Sequence, residues 1–221
     1  MTTERAAQLD AVAALAEPTR RRLYDHVVRQ SGAVSRDEAA TALGLARTTA
    51  AFHLDRLVDE GLLGVEFARR TGRSGPGAGR PSKLYRRSGC QVDVSVPERR
   101  YELAARLLAD AVAGAERSGA SPRAVLDERA YRGGRELAAA GTELLATLEA
   151  SGFAPVVEHG DVTLTNCPFH ALAHAHTELV CGMNLQLLTG LLDALAPTGL
   201  TALPSPSPDR CCVRLSKNNS D

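Results

Sequence analysis

The chain has 221 residues, of which 44% are apolar and 4% aromatic, with no Trp, so its core must be built mainly from Ala, Leu and Val, a composition that favours helices. No apolar run reaches the roughly 20 residues that a bilayer span requires, and the start, Met1-Thr2-Thr3-Glu4-Arg5, lacks a signal-peptide apolar segment, so we expect a soluble, cytoplasmic protein with no membrane partner. Net charge is zero, yet residues 1–90 hold 15 Lys/Arg against 10 Asp/Glu (net +5) and residues 91–221 hold 11 against 16 (net −5), which fits one domain that meets phosphate and one that does not.

Residues 8–16 carry Leu9, Val12, Ala13 and Leu15 at a helical period. Glu17-Pro18-Thr19 breaks it, and Pro18 suits the first turn of a second helix over about residues 19–30, with Leu23, Val27 and Tyr24 on one face. Ser35-Arg36-Asp37-Glu38 has the Ser-x-x-Glu form of a capping box, opening a short helix over 37–43 that Gly44 closes. A further helix follows over about 47–60, with Ala50, Leu54, Leu57 and Val58 as its inner stripe. Then come an extended run over 63–67, a basic Gly/Pro loop over 69–81 and a second extended run over 83–87. Helix, turn, helix, strand, basic loop, strand is the order of a winged helix-turn-helix, expected to fill residues 1–90.

The helix over 47–60 is the candidate recognition helix. Arg47, Thr48, Thr49, Ala51, His53 and Arg56 lie largely off its inner stripe, near the end that normally enters the major groove. Arg47 could take a guanine edge and the threonines a phosphate or base edge; each is equally an ordinary helix-surface residue, and His53 could instead pack inside the head. In the loop, Arg69, Arg70, Arg73 and Arg80 stand among four glycines, a pattern suited to close approach to a minor groove, and Lys83 begins the return strand.

Two stretches carry a resemblance: residues 49–63, Thr-Ala-Ala-Phe-His-Leu-Asp-Arg-Leu-Val-Asp-Glu-Gly-Leu-Leu, and residues 79–85, Gly-Arg-Pro-Ser-Lys-Leu-Tyr. They resemble the recognition helix and wing return strand of ArsR- and DeoR-type winged-helix regulators. The resemblance implies a homodimeric transcription factor that binds a double-stranded DNA operator.

Residues 88–96 read as linker, and Pro97 as the start of a helix over 98–118. Its stripe of Leu103, Ala104, Leu107, Leu108 and Ala111 could form a dimer interface or pack within the chain. A helical region over about 127–151 is expected to be interrupted at Gly133-Gly134 and Gly141, giving a helical linker or dimerisation region over 97–152. Residues 153–221 read as a separate α+β unit. Alternating runs at 154–158 and 162–165 flank His159-Gly160-Asp161 as a hairpin; helices over 169–175 and 177–195 follow, with Thr177 as N-cap of the second. Short strands are expected at 200–203 and 211–215. The fold class is therefore mainly α with small β.

Four of the five cysteines, Cys167, Cys181, Cys211 and Cys212, fall in that unit, with His170, His174 and His176 between the first two. No CxxC knuckle supports a zinc ribbon, and the expected compartment argues against a disulfide. Buried cysteines packing as small apolar side chains are the bland alternative. Thiols converging from a strand end, a helix and a second strand would suit a soft metal or an iron–sulfur cluster. A cysteine nucleophile, Cys167 activated by His170, finds no accompanying oxyanion hole or Gly-rich elbow.

Asn166-Cys167-Pro168-Phe169-His170-Ala171-Leu172-Ala173, Glu178-Leu179-Val180-Cys181 and Cys211-Cys212-Val213-Arg214-Leu215 resemble the C-terminal ligand segments of SufR-like repressors. That resemblance implies a [4Fe–4S] cluster held by Cys167, Cys181 and Cys211, with Cys212 as alternative third ligand and His170 or His174 as candidate fourth. It implies operator binding set by redox, nitric oxide or cluster status, in a protein that is not an enzyme. Zinc or another thiophilic metal, or an organic effector in a cysteine-lined cavity, remain alternatives.

Overall fold

The computed structural model describes residues 3–68, 81–140, 143–207 and 210–218. The chain divides into two units, Met1–Val94 and Ser95–Asp221.

The first unit contains α1 (Thr3–Ala14), α2 (Pro18–Val28), β1 (Val34–Ser35), α3 (Arg36–Leu43), α4 (Arg47–Asp59), β2 (Leu63–Ala68) and β3 (Ser82–Arg87). Pro18 sits in the first turn of α2, and the Glu17 carboxylate accepts from the Thr19 and Arg20 amides at 3.0 and 2.6 Å. The capping box forms as read: Ser35 Oγ accepts from the Glu38 amide, and the Glu38 carboxylate accepts from the Ser35 amide. Such a cap contributes about 1 kcal/mol. Gly44 closes α3 at φ 64°, a conformation open to glycine without strain.

With α3 stopped there, the tight turn through Leu45 delivers α4 across the apolar sides of α2 and α3. Leu23, Val27, Ala39, Ala50, Leu54 and Leu57 form the shared core, each essentially excluded from solvent. The antiparallel sheet, in order β1-β3-β2, closes the unit with Tyr85 buried opposite Val65. The two-residue strand β1, which pairs Val34 with Tyr85, is too short to leave a period in the sequence.

The second unit holds α5 (Tyr101–Ser118), α6 (Pro122–Ala140), α7 (Leu144–Ala150), β4 (Pro155–Glu158), β5 (Asp161–Leu164), α8 (His170–Ala175), α9 (Thr177–Ala194), β6 (Leu200–Pro204) and β7 (Val213–Lys217). Its sheet is antiparallel in order β4-β5-β7-β6. The β4–β5 hairpin forms as expected, with His159 and Gly160 both at positive φ, 54° and 92°, as a two-residue turn of matching twist demands.

Several expectations are corrected here. Pro97 does not start a helix. Residues 98–100 are held by the loop after β5: the Arg100 amide donates to the Pro168 carbonyl, and the Asn166 amide group to the Glu98 carbonyl, so α5 begins at Tyr101. Gly133-Gly134 does not interrupt α6, which starts at Pro122 and runs through both. A Cβ on Gly134 would overlap the Leu187 carbonyl, and one on Gly190 the Tyr131 carbonyl, so these glycines let α6 and α9 approach backbone to backbone. Gly141 lies outside the described residues. Thr177 is the first residue of α9 rather than its cap, and its hydroxyl donates to the Ala173 carbonyl. The last strand begins at Val213, two residues later than read.

No boundary separates residues 97–152 from 153–221. Ala104, Leu107, Leu126, Leu148, Leu164, Leu187 and Leu215, drawn from α5, α6, α7, β5, α9 and β7, belong to one apolar core. The α5 stripe of Ala104, Leu107 and Ala111 is buried inside this core, with Leu103 and Leu108 packed against it. Among the described residues no helix is long and apolar enough to cross a membrane.

Candidate functional site

The outward face of α4 is displayed by the core on its other side. Arg47, Thr48, Thr49 and Arg56 are exposed, and Ala51 is half-buried. Arg47 Nε lies 2.6 Å from the Asp37 carboxylate of α3, and Arg56 pairs with Glu60 one turn on, so both guanidiniums are steered along the helix surface. Two members of the expected DNA-contacting set also meet other elements of the head. His53 is turned inward, its side chain 14% exposed, with Nδ1 3.6 Å from Glu17 Oε2. Lys83 donates to Asp55 Oδ1 at 2.5 Å, as does the Tyr85 hydroxyl at 2.8 Å, with the Lys83 ammonium above the Tyr85 ring. Burial pushes the Asp55 carboxyl up, but these two donors outweigh it and hold the group below its ordinary range. Burial and then the Asp55 carboxylate push the Tyr85 phenol up. Arg69, Arg70, Arg73 and Arg80 lie outside the described residues.

In the second unit the four cysteines come together. Cys167 lies in the loop between β5 and α8, Cys181 in the second turn of α9, and Cys211 and Cys212 directly before β7. The backbone fixes the last two: the Cys211 amide donates to the Leu164 carbonyl at 3.0 Å, and the Ser205 amide to the Cys212 carbonyl at 2.7 Å. Arg99 holds the first, donating to the Cys167 carbonyl at 2.8 Å and to Asn166 Oδ1 at 2.5 Å. The thiols are free and neighbour one another in a chain, Cys167, Cys211, Cys212 and Cys181, each shifting the protonation of the next. At its centre, buried Cys211 also accepts from Asn184 Nδ2 at 3.1 Å.

This chain polarises the thiols. Cys211, bonded to the sulfurs on either side and buried, is pushed far up and stays protonated. Its bond lowers Cys167, which the Phe169 amide also favours as a thiolate, and brings Cys212 down to about 6. Burial, then the bond to Cys212, raises Cys181 to about 12. Only Cys167 and Cys212 are thus shifted toward the thiolate, the form in which sulfur is nucleophilic and ligates metal.

A cavity of about 640 Å³ opens beside the chain, lined by Cys167, Cys181 and Cys212, by His170 and His174 of α8, and by Arg210. Cys211 stands behind this wall rather than in it, and His176 is also outside the lining. Among the described residues, no group of three or more His, Cys, Asp or Glu side chains is arranged to hold a metal ion, and the cysteines are free thiols. Cys167 finds its partner in Cys211 and the Phe169 amide, not in the His170 ring, which leaves the nucleophile–base pairing unmade.

Arg99, Asn166, Asn184 and Arg210 were given no role by sequence reasoning. Asn166 and Arg210, adjacent to Cys167 and Cys211, carried a local signal; Arg99 and Asn184 reach the cysteines through tertiary folding alone.

A helix-turn-helix domain family matches residues 15–66, a stretch that includes all of α2, α3 and α4. Together with the antiparallel sheet of the same unit, the match supports a winged-helix, DNA-binding transcription regulator. No curated protein and no solved structure gives a match to the chain.

Proposed function

We propose that the protein is a homodimeric transcription regulator whose operator affinity is set by an iron–sulfur cluster held in the second unit. The observation that carries this reading is the convergence of Cys167, Cys181 and Cys212 on one cavity wall, beside His170 and His174. Three thiols and two imidazoles form a soft donor set of the kind iron–sulfur groups and thiophilic metals require. Cys212 is favoured over Cys211 as the third ligand, because Cys212 lines the cavity while Cys211 is buried outside the lining and accepts from Asn184. The polarised chain supports the same reading, since a ligand thiol must lose its proton and two of the three wall thiols are shifted that way.

When bound, a cluster would supply sensitivity to oxidants and nitric oxide. The chain's own residues position the ligands: Arg99 and Asn166 fix the Cys167 loop, α9 presents Cys181, and the Leu164 and Ser205 bonds fix the Cys211-Cys212 backbone. Loss of the bound group would free three elements that it ties together, the loop after β5, α9 and the segment before β7.

Visible absorption and acid-labile sulfide of the anaerobically purified chain test this. Iron, sulfide and a brown chromophore are expected. A colourless protein with zinc and no sulfide would favour the second reading, a mononuclear thiophilic metal sensor using the same wall with one imidazole.

A further inference from the structure

Phe52, on α4, is 66% exposed. It lies one turn from Thr48 and one turn from Arg56, on the face opposite buried Ala50, Leu54 and Leu57. A phenyl ring left in water contributes nothing to the core, yet this one is not randomly placed. It stands edge to face with the His53 imidazole, ring centroids 5.2 Å apart at 70°. His53 is in turn tucked against Glu17 at the N-terminus of α2. The head therefore props an apolar ring at the middle of its recognition surface, among hydroxyls and guanidiniums.

A phenyl ring has no group to hydrogen-bond a base edge or a phosphate. The one apolar feature that base pairs present in the major groove is the thymine 5-methyl. We propose that Phe52 packs on that methyl and is a specificity-determining residue of the head, selecting thymine at one position of each half-site. The proposal rests on the head's reading of DNA and is independent of what the thiol cavity holds.

The test uses the full chain, both anaerobically purified and metal-stripped, to enrich duplexes from a random-sequence pool. Wild type should enrich a thymine that Phe52→Ala no longer selects, with the rest of the motif kept. Phe52→Leu, still apolar, should retain part of the preference. Replacing that thymine by deoxyuridine deletes only the methyl; wild type should then bind about fourfold more weakly, the effect of one buried methyl, and Phe52→Ala equally to both duplexes. An unchanged Phe52→Ala motif, or the same deoxyuridine penalty in both proteins, overturns the proposal. A change of oligomeric state in Phe52→Ala with the motif intact also overturns it and makes the ring a protein contact. If no form enriches any duplex, the proposal falls together with the DNA-reading head, an outcome distinct from loss of the thymine preference alone.

Discussion

Asp55 of α4 and Lys83 of β3 are joined at 2.5 Å, and the Tyr85 hydroxyl donates to the same carboxylate oxygen at 2.8 Å. This bond ties the recognition helix to the strand that returns from the basic loop, so the two candidate DNA-contacting elements of the head are held in one register. Tyr85 is 1% exposed, so its hydroxyl has no access to water in compensation. We therefore expect Asp55→Ala to destabilise the head by about 1 kcal/mol, the Asp55–Lys83 pair itself contributing little because both side chains are partly solvated. Tyr85→Phe should cost a similar amount. Urea unfolding measures both, and unchanged midpoints would contradict the role given to this bond.

The same carboxylate gives a pH dependence. Its folded pKa lies below its ordinary value, because the Lys83 and Tyr85 bonds outweigh burial. A carboxyl depressed by folding stabilises fully above its unfolded pKa of about 3.9, and that contribution is lost as pH falls through the lower folded value. Stability of the head should thus decline from about pH 4 downwards, and Asp55→Asn should flatten part of that acid limb. Parallel acid limbs for wild type and variant would contradict it.

Gly134 and Gly190 are where α6 and α9 touch backbone to backbone. Because a Cβ at either site meets a carbonyl rather than a movable side chain, the helices must separate to admit it. Gly134→Ala and Gly190→Ala should each cost about 3 kcal/mol, at the upper end of overpacking, and should impair the cavity because α9 carries Cys181. Thermal unfolding reads the first effect. A Gly134→Ala protein as stable as wild type would show that α6 and α9 do not pack this closely.

The four cysteines should separate by position. Cys167→Ser, Cys181→Ser and Cys212→Ser are each expected to abolish the visible chromophore of anaerobically purified protein. Cys211→Ser, behind the wall, should retain most of it. Loss in Cys211→Ser with retention in Cys212→Ser would exchange their roles as ligand and support.

Much of the head was legible because its signals are local. Ser35 and Glu38 are three residues apart, Gly44 marks its own helix end, and Ala50, Leu54 and Leu57 repeat at helical spacing. The inward packing of His53 stayed open in the sequence, and the pairing of Lys83 with Asp55 left no local sign, because Glu17 and Asp55 lie on other elements. In the second unit, the cysteine set was visible as residue type, but its order was not. Adjacent in sequence, Cys211 and Cys212 gave no sign of which one lines the cavity; that depends on how the segment before β7 packs. Gly133-Gly134 resembles a helix break until α9 is present to explain it, and Pro97 resembles a helix start until Pro168 and Asn166 hold residues 98–100 in place.

On the proposed function, the group in the thiol cavity and the operator on the head influence each other's binding. The most direct measurement is fluorescence anisotropy of the full chain on one enriched duplex, before and after the cavity group is removed anaerobically, at fixed salt. A change in Kd of about 5- to 150-fold, the usual range of coupling between sites, is expected, with no such change in Cys167→Ser, which starts without the group. Equal affinity of the loaded and stripped wild-type protein would contradict it.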